Sequence, residues 1–367
     1  MIKKLIHSLT ALMLLSVVLA GCGESKTSAE KGTQSQAKQE EFVWKLVTSW
    51  PKNFPGLGMA PEKFAKQVNA MSNGRLTVKV YGAGELVPGF EVFDAVSQGT
   101  VQMGHSGSYY WKGKIPASPI FSAIPFGMTA TEFNAWLHYG GGMELWQELY
   151  QPFGIKPLPG GNSGAQFGGW FKKEINSVED LQGLKMRIPG LAGEVLKSAG
   201  AIPVTLTGGE IFSALQSGAI DATEWVGPYN DLAFGFYQAA DYYYSSVWHE
   251  PGTGLEFLIN QKAFDQLPAD LQAIVEVAAN AVNESTLAEY NARNNAALKT
   301  LLEEHKVQLR QFPTEVMQTL KQHTQTLMAE QAAADKDFAR VWQSYSDFLA
   351  SMREFNKLTL QSYYENR

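Results

Sequence analysis

The sequence predicts an α/β protein with two lobes, a central cleft between them and long helices toward the C-terminus. Three observations lead to this fold class. At 367 residues, the chain is longer than a single hydrophobic core usually requires. Its body opens on a strand, a helix and a second strand, the unit from which parallel sheets are built. A nine-residue pattern then recurs 119 residues later, which indicates that the unit occurs twice.

The opening unit spans residues 42–81. Apolar and polar residues alternate over 42–48 and over 76–81, which is typical of strands that bury one face. Between them, residues 61–71 place Phe64, Val68 and Met71 on one side of a helix. The order strand, helix, strand predicts a parallel pair with a helix packed on it.

The recurring pattern joins residues 93–101 to residues 212–220. Each segment has the features of a helix end, a glycine that caps it and the entry to a strand. The match alone leaves two interpretations. In the first, the two segments are similar by chance or because this is a common helix-to-strand connection. In the second, two similar lobes deliver strand ends to one cleft, through residues 104–110 and 223–227.

The segment 183–190 predicts a short strand that ends in a loop at Pro189 and Gly190. Arg187 stands at the carboxyl end of that strand. Ligands of open α/β sheets bind at such ends, and a guanidinium offers a planar fork that matches a carboxylate. An arginine exposed near a turn is the alternative interpretation.

Three further polar residues accompany this arginine. Gln166 lies in the glycine-rich segment 160–171, which suits a hinge or a backbone close to a ligand, with a simple glycine-rich turn as the alternative. Glu224 ends a second strand, and Glu250 precedes a proline-glycine turn. Carboxylate and amide oxygens are the ligands of hard cations, so with Arg187 this set could bind an anion and a cation side by side.

The composition limits the possible partners. The formal charge is −6, and it becomes −8 if the N-terminal segment with Lys3 and Lys4 is removed. An acidic surface argues against nucleic acid and against a polybasic membrane contact. The single cysteine, Cys22, excludes an internal disulfide in the body.

The N-terminus has the features of an export signal. Two lysines precede an apolar stretch, and residues 19–22 resemble a lipobox, at which bacterial lipoproteins are cleaved before a lipid-modified cysteine. We therefore expect a lipoprotein signal peptide over 1–21 and a flexible tether over 22–41 with lipidated Cys22. The protein would be exported, periplasmic or on the cell surface, and anchored by its lipid; a plain signal peptide is the alternative.

The body divides into three parts. Residues 42–160 are expected mainly in lobe 1 and residues 161–260 mainly in lobe 2. Residues 261–367 are expected to form a helical region that spans the lobes, because few breakers interrupt its periodicity. Its aromatic stripe around Phe338 and Tyr345 either clamps both lobes of one monomer or contributes to a homodimer.

Several of these segments together resemble one protein family. Residues 183–187, Glu224-Trp225 and residues 249–252, with Gln166 upstream, resemble the extracytoplasmic solute-binding subunits of TRAP transporters. The closest similarity is to the branch that binds 2-oxo acids or lactate together with a metal ion. The resemblance implies a periplasmic-binding-protein-like fold with a hinge, transport of a small monocarboxylate rather than catalysis, TRAP membrane subunits as partners, and a homodimer.

The resemblance also implies residue roles. Arg187 would pair with the substrate carboxylate, and the other substrate positions are Gln166, Trp225, Tyr109 and Asn162. The cation, sodium or calcium, would be held by Gln166, Glu224, the backbone carbonyl of Trp225, and Glu250. Counted together with Arg187 and the ligand carboxylate, the two glutamates give a net formal charge of −2. A cation is therefore required, because unpaired buried charge is costly, but the sum does not distinguish sodium from calcium.

Other functions fit the sequence less well. A glycoside hydrolase could use Glu224 and Glu250 as acid and base, with Trp225 and Trp248 stacking on a sugar, but it leaves Arg187 unexplained. The sequence has no nucleophile elbow, phosphate-binding loop or zinc-protease motif. A binding protein for another organic acid or a sugar, including one of an ABC importer, is the remaining alternative.

Overall fold

The computed structural model describes residues 40–367. The expected signal peptide and nearly all of the tether, with Cys22, lie outside the described residues. The strands of the described part are, in order, β1 (Phe42–Thr48), β2 (Leu76–Tyr81), β3 (Met103–Ser106), β4 (Ile155–Asn162), β5 (Gly169–Phe171), β6 (Lys185–Arg187), β7 (Ile202–Val204), β8 (Ala222–Thr223), β9 (Tyr242–Tyr244), β10 (Gly254–Asn260) and β11 (Gln308–Arg310).

The helices follow the same order along the chain. They are α1 (Met59–Met71), α2 (Val92–Ser97), α3 (Ala130–Tyr139), α4 (Gly142–Tyr150), α5 (Gly190–Ser198), α6 (Gly208–Ser217), α7 (Pro228–Phe234), α8 (Gln261–Asp265), α9 (Ala269–Glu303), α10 (Thr314–Ala334), α11 (Lys336–Asn356) and α12 (Ser362–Asn366). None of the helices between residues 40 and 367 combines the length and the apolar composition that crossing a membrane requires.

The strands form two sheets, as expected for a two-lobed α/β protein. The first has the order β2-β1-β3-β10-β4, and β1 pairs parallel with both β2 and β3. Trp44 and Leu46 of β1 are buried while Val43 and Lys45 are not, so the alternation read from the sequence is confirmed as far as Leu46, after which both faces of the strand are buried. The second sheet has the order β11-β9-β5-β8-β6-β7, and β6 pairs parallel with both β7 and β8.

The two sheets repeat one topology. In the first, β1 lies between β2 and β3, and helices α1 and α2 precede these two neighbours. In the second, β6 lies between β7 and β8, and helices α5 and α6 precede them. The recurring sequence pattern covers equivalent parts of the two units, from α2 toward β3 and from α6 toward β8. Gly99 (φ +73°) and Gly218 (φ +81°) follow these helices in the left-handed conformation that glycine adopts most readily. The interpretation as two similar lobes is therefore correct.

The chain crosses between the sheets three times. Residues 163–168 lead from β4 to β5, residues 245–253 lead back from β9 to β10, and α9 leads to β11. As a result β10, inside the range that the sequence assigns mainly to lobe 2, pairs with β3 and β4 of the first sheet. The two shorter crossings are hydrogen-bonded to each other, which makes them the hinge between the sheets.

The C-terminal helices pack on both lobes. Helix α10 contacts α5, whereas α11 contacts α3 and α4. The aromatic stripe of α11 is largely core, since Phe338, Val341 and Tyr345 are buried, and the Tyr345 hydroxyl accepts a hydrogen bond from the Met128 N–H at 2.7 Å. Up to the end of α11, this region is part of the monomer's own packing.

Candidate functional site

The predicted site residues come from three parts of the fold. The second sheet supplies Arg187 at the end of β6 and Glu224 after β8. The first sheet supplies Tyr109, in the turn that follows β3. Gln166 and Glu250 lie on the two short crossings, whose backbones meet where the Gln166 N–H donates to the Glu250 carbonyl at 3.0 Å. The cleft between the sheets and the hinge therefore contribute to one site.

Arg187 is 1% exposed. Its Nε donates to the Leu206 carbonyl and its Nη2 to the Tyr110 hydroxyl, each at 3.3 Å. Its Nη1 donates to the backbone carbonyl of Glu224 at 3.3 Å and also to the Glu224 carboxylate. These contacts use four of the five guanidinium N–H groups. The arginine is a fixed, buried cation, and the interpretation as an ordinary surface residue is wrong.

Trp225 packs on this arginine. The guanidinium carbon of Arg187 lies 5.0 Å from the centre of the indole ring, a cation–π contact. The Trp225 ring is also nearly perpendicular to the ring of Trp50 in the first lobe, and the two ring centres are 6.0 Å apart. The indole therefore supports the guanidinium from the second lobe and contacts the first.

Glu224 lies between two groups that can carry positive charge. One carboxylate oxygen pairs with Arg187, and the other lies 3.5 Å from His249 Nε2, without the geometry of a hydrogen bond. Both the glutamate and the histidine are buried. This ion pair holds together the ends of β6 and β8, and through His249 it touches the second crossing.

Gln166 and Glu250 are joined through Thr253. The Gln166 amide nitrogen donates to the hydroxyls of Ser163 at 2.8 Å and of Thr253 at 3.0 Å. The Thr253 hydroxyl in turn donates to Glu250 Oε2 at 2.6 Å. These bonds fix the amide so that its oxygen, Gln166 Oε1, is buried without a hydrogen-bond partner in the described part of the chain.

The two glutamates are electrostatically coupled. Burial and, after it, the negative charge of Glu224 raise the pKa of Glu250 to about 7, while His249, the Thr253 hydrogen bond and Arg187 oppose the rise. Two buried carboxylates beside one arginine leave an excess of negative charge. The site therefore favours the arrival of a positive ion.

The donor set fits a hard cation. No cluster of three or more His, Cys, Asp or Glu side chains that could hold a metal occurs among residues 40–367. An ion held here must therefore draw on amide and backbone oxygens as well as on Glu224 and Glu250. The buried, unpartnered oxygen of Gln166 is such a ligand, and all-oxygen coordination suits sodium or calcium.

A small cavity of about 10 Å³, close to the space that one water molecule needs, lies at the centre of this arrangement. Arg187, Gln166, Ser163 and Thr253 give it a polar part, and Trp225 and Tyr109 also line it. The remaining lining is apolar and consists of Trp50, Leu57, Val226 and Leu255. The chemistry of this lining matches a small ligand with an anionic end and an apolar end, which would enter when the lobes move apart.

Asn162 occupies a different position from the other predicted residues. It ends β4, where its Oδ1 accepts a hydrogen bond from the Gly164 N–H at 2.8 Å, and it is not among the residues that line the cavity. Its Nδ2 is buried without a hydrogen-bond partner in the described part of the chain. The side chain supports the start of the first crossing beside Ser163.

Sequence reasoning missed several contributors to the site. Tyr110 follows the predicted Tyr109, and Thr253 stands three residues after Glu250, so proximity along the chain could have suggested both. Trp50 lies on the loop after β1, a position that no local pattern connects to Arg187. Its place in the cavity depends on how the two lobes meet.

Comparisons with known proteins show the family of the chain. The family described as "Bacterial extracellular solute-binding protein, family 7" (DctP) matches residues 46–335. The monocarboxylate 2-oxoacid-binding periplasmic protein of Nostoc sp. strain PCC 7120 is 41% identical over 353 residues, which are 96% of this chain and 95% of that protein.

Two solved structures are similar over most of the chain. One is a TRAP periplasmic solute-binding protein from Pseudoalteromonas atlantica with bound sodium and pyruvate. The other is a TRAP periplasmic solute-binding protein from Colwellia psychrerythraea with bound calcium and pyruvate. Each is 46% identical, has a TM-score of 0.87, and aligns 89% of this chain with 100% of the solved chain.

The resemblance read from the residues around Arg187, Glu224 and Glu250 is therefore confirmed at the level of the family. Proteins of this family are extracellular, bind solutes and work with membrane subunits, and the two-lobed fold is that of its solved members. The chain belongs to the DctP family of bacterial extracellular solute-binding proteins and is a TRAP solute-binding protein.

Proposed function

We propose that the protein captures a small monocarboxylate, a 2-oxo acid such as pyruvate or the related lactate, together with sodium or calcium. It then delivers the acid to the membrane subunits of a TRAP transporter. The observation that carries the proposal is the buried Arg187 guanidinium, which borders a small cavity beside an oxygen cluster suited to a cation. The relatives with bound pyruvate support the same ligand class.

Arg187 supplies the charge that a small acid needs. Such a ligand has too few apolar atoms to bind by burial alone, so charge-assisted hydrogen bonds must provide most of its affinity. The Arg187 guanidinium is already paired with Glu224, so an arriving carboxylate shares it with that residue. Tyr109 closes the cavity on the side of the first lobe.

The cation compensates for the second negative charge. Gln166 Oε1, the carboxylates of Glu224 and Glu250, and the backbone carbonyl of Trp225 would hold it. When bound, the ion attracts the carboxylate and carbonyl oxygens of the ligand. Acid and cation therefore bind cooperatively, because each reduces the cost of burying the other.

Isothermal titration calorimetry tests this function. Pyruvate, lactate, succinate and glucose are titrated into the protein in choline buffer that contains sodium, calcium or a chelator. We expect pyruvate or lactate to bind tightly only when one of the two cations is present. Binding of glucose without any dependence on the cation would contradict the proposal and favour a sugar-binding protein.

We also propose that Cys22, which lies outside the described residues, carries the lipid anchor. The support is the sequence of residues 19–22 and the polar segment that follows them. Intact mass measurement of the protein from a bacterial membrane fraction tests the proposal. A C22A protein should lose the lipid mass and appear in the soluble fraction, and an unmodified wild-type Cys22 would contradict it.

A further inference from the structure

The apolar part of the cavity contains one side chain with a polar group, Trp50. Its indole is 1% exposed, and its Nε1–H points to His105, donating to Nδ1 at 2.9 Å. His105 lies on β3 and is fully buried. Its other ring nitrogen, Nε2, lies 2.9 Å from the backbone carbonyl of Gly160.

These two contacts fix the state of the imidazole. A carbonyl oxygen only accepts, so Nε2 carries the hydrogen, and an indole N–H only donates, so Nδ1 must be the acceptor. The ring is therefore neutral and in one tautomer. Burial lowers the pKa of His105 to about 4, so this arrangement persists at neutral pH.

The surroundings of His105 leave it little freedom. It pairs across the sheet with Phe257 of β10, and the two rings are 4.8 Å apart. Gly160 belongs to β4, so the imidazole is held by the same sheet that carries it. The indole that it holds reaches across the cleft, where its ring meets Trp225, the residue that stacks on Arg187.

The hydrogen bond decides what the cavity presents to a ligand. Because the Trp50 N–H is satisfied by His105, it does not donate into the cavity, and the indole contributes carbon atoms to the wall. Leu57, Val226 and Leu255 complete this wall. A ligand whose end is larger than a short alkyl group, or carries a hydroxyl group, meets a fixed apolar surface there and binds less tightly.

We propose that His105 is a positioning residue that holds the Trp50 indole as a rigid apolar wall and so restricts the ligand to 2-oxo acids with a short alkyl group. This inference rests on the proposed function. It assigns selectivity to a residue that does not line the cavity, through the hydrogen bond it makes to one that does.

The test compares two substitutions of His105. H105L removes the acceptor for the indole, whereas H105Q can accept from Trp50 through its oxygen and donate to Gly160 through its nitrogen. Calorimetry in the presence of calcium gives the Kd of pyruvate, 2-oxovalerate and hydroxypyruvate for each protein. We expect H105L to reduce the preference for pyruvate over both larger acids at least fivefold and H105Q to retain most of it.

A control variant separates selectivity from general destabilisation. S344A removes the acceptor of another indole, Trp136, whose Nε1 donates to Ser344 at 3.1 Å in a part of the fold remote from the cavity. It should lower the melting temperature without changing the ratio of the Kd values. If H105L changes all three Kd values by the same factor, His105 is merely structural and the proposal is overturned.

Two further measurements keep the test decisive. If H105L does not fold, W50F removes the same hydrogen bond from its other end, and an unchanged Kd ratio in W50F overturns the proposal. Hydrogen exchange of the Trp50 indole N–H, followed by NMR without ligand, should be slow in wild type and fast in H105L. If wild type binds no 2-oxo acid, the proposed function fails, and a slow exchange in H105L would separately refute the positioning role.

Discussion

Arg187 and Glu224 show how a buried ion pair can serve binding. Both side chains are 1% exposed, so each would be costly to bury without the other. Removing the arginine would leave Glu224 beside Glu250 with no compensating charge, and the result would mix lost binding with lost stability. An informative substitution at this site must keep the positive charge.

The first prediction concerns R187K. Lysine keeps the charge but loses the planar fork and the stacking on Trp225, so carboxylate affinity should fall about 10- to 100-fold, or ~1.4–2.8 kcal/mol. Calorimetric titration with pyruvate in calcium measures the change. R340K is the matched control, because Arg340 pairs with Glu148 on the surface, and it should bind as wild type does. Equal affinities for R187K and wild type would remove Arg187 from the site.

The second prediction concerns Glu256, a buried carboxyl group outside the site. It accepts hydrogen bonds from Trp111 Nε1 and from the Tyr150 hydroxyl, the latter at 2.9 Å, and burial raises its pKa to about 8. Between its ordinary value of 4.5 and about 8, the folded protein binds a proton that the unfolded chain releases. The stability that this group contributes is therefore present below pH 4.5 and is lost as the pH rises toward 8.

E256Q removes this dependence while the amide can still accept from Trp111 and donate to Tyr150. Relative to E256Q, wild type should lose up to about 1.4 kcal/mol of unfolding free energy per pH unit between pH 5 and 8. Urea unfolding at four pH values measures the difference. E148Q, at an exposed glutamate, provides the control and should follow wild type throughout. Parallel curves for E256Q and wild type would show that Glu256 is ionised in the folded state.

At the scale of elements, local patterns predicted the parts of the fold that depend on neighbouring residues. The alternation in β1 and β2, the capping glycines Gly99 and Gly218, and Arg187 at the end of β6 are all local features. Another local feature is the pair Gly140 and Gly141, which separates α3 from α4.

What the sequence could not predict depends on long-range pairing. Nothing within 254–260 indicates that β10 leaves the second lobe and joins the first sheet, because either sheet would bury this apolar run. The position of Trp50 beside Trp225 and the link from Gln166 through Thr253 to Glu250 both require the crossings to be in place. Residue types at the site were therefore easier to predict than their contacts.

The third prediction concerns an ion pair across the mouth of the cleft. Lys112 follows the turn after β3, and its Nζ lies 2.6 Å from Glu194 Oε1 on α5 of the second lobe. The side chains are 35% and 39% exposed, so solvent screens the pair and its contribution is at most about 1 kcal/mol. The pair joins the lobes where they meet and should favour the closed state.

E194K replaces this attraction with repulsion and should weaken pyruvate binding about two- to fivefold. The difference from wild type should shrink when choline chloride is raised from 50 to 500 mM, since salt screens exposed charges. Choline is used because sodium is itself a candidate ligand. E303K, which disrupts the pair of Glu303 with Lys299 within α9, should have no effect on binding. If the loss of pyruvate affinity in E194K does not change with salt, the Lys112–Glu194 pair does not favour the closed state by electrostatic attraction.

For the whole molecule, the three crossings explain how two lobes can enclose a ligand. The sheets are separate in hydrogen bonding, and the two short crossings that connect them carry Gln166 and Glu250. The proposed ligand and cation would therefore bind at the hinge as well as between the lobes. In the proposed function, contacts that form only when the lobes close stabilise the closed state.

The last prediction concerns the end of the chain. Helix α11 contacts the rest of the protein as far as Asn356, whose side-chain amide donates a hydrogen bond to the Glu132 carboxylate. Beyond this residue the chain exposes apolar side chains, and Leu358 is 81% exposed. The region up to Asn356 agrees with a clamp within one monomer. The residues after Asn356 present an apolar surface of the kind that a second copy covers.

We therefore expect wild type to sediment as a homodimer at micromolar concentration and L358E to sediment as a monomer. V277E is the matched control, because Val277 on α9 is also an exposed apolar residue, at 57%. It should remain dimeric. Since the cavity is lined by residues of one chain, monomeric L358E should bind pyruvate as tightly as wild type. A wild-type protein that stays monomeric would assign the whole C-terminal region to the clamp, whereas lost binding in L358E would mean that the partner completes the site.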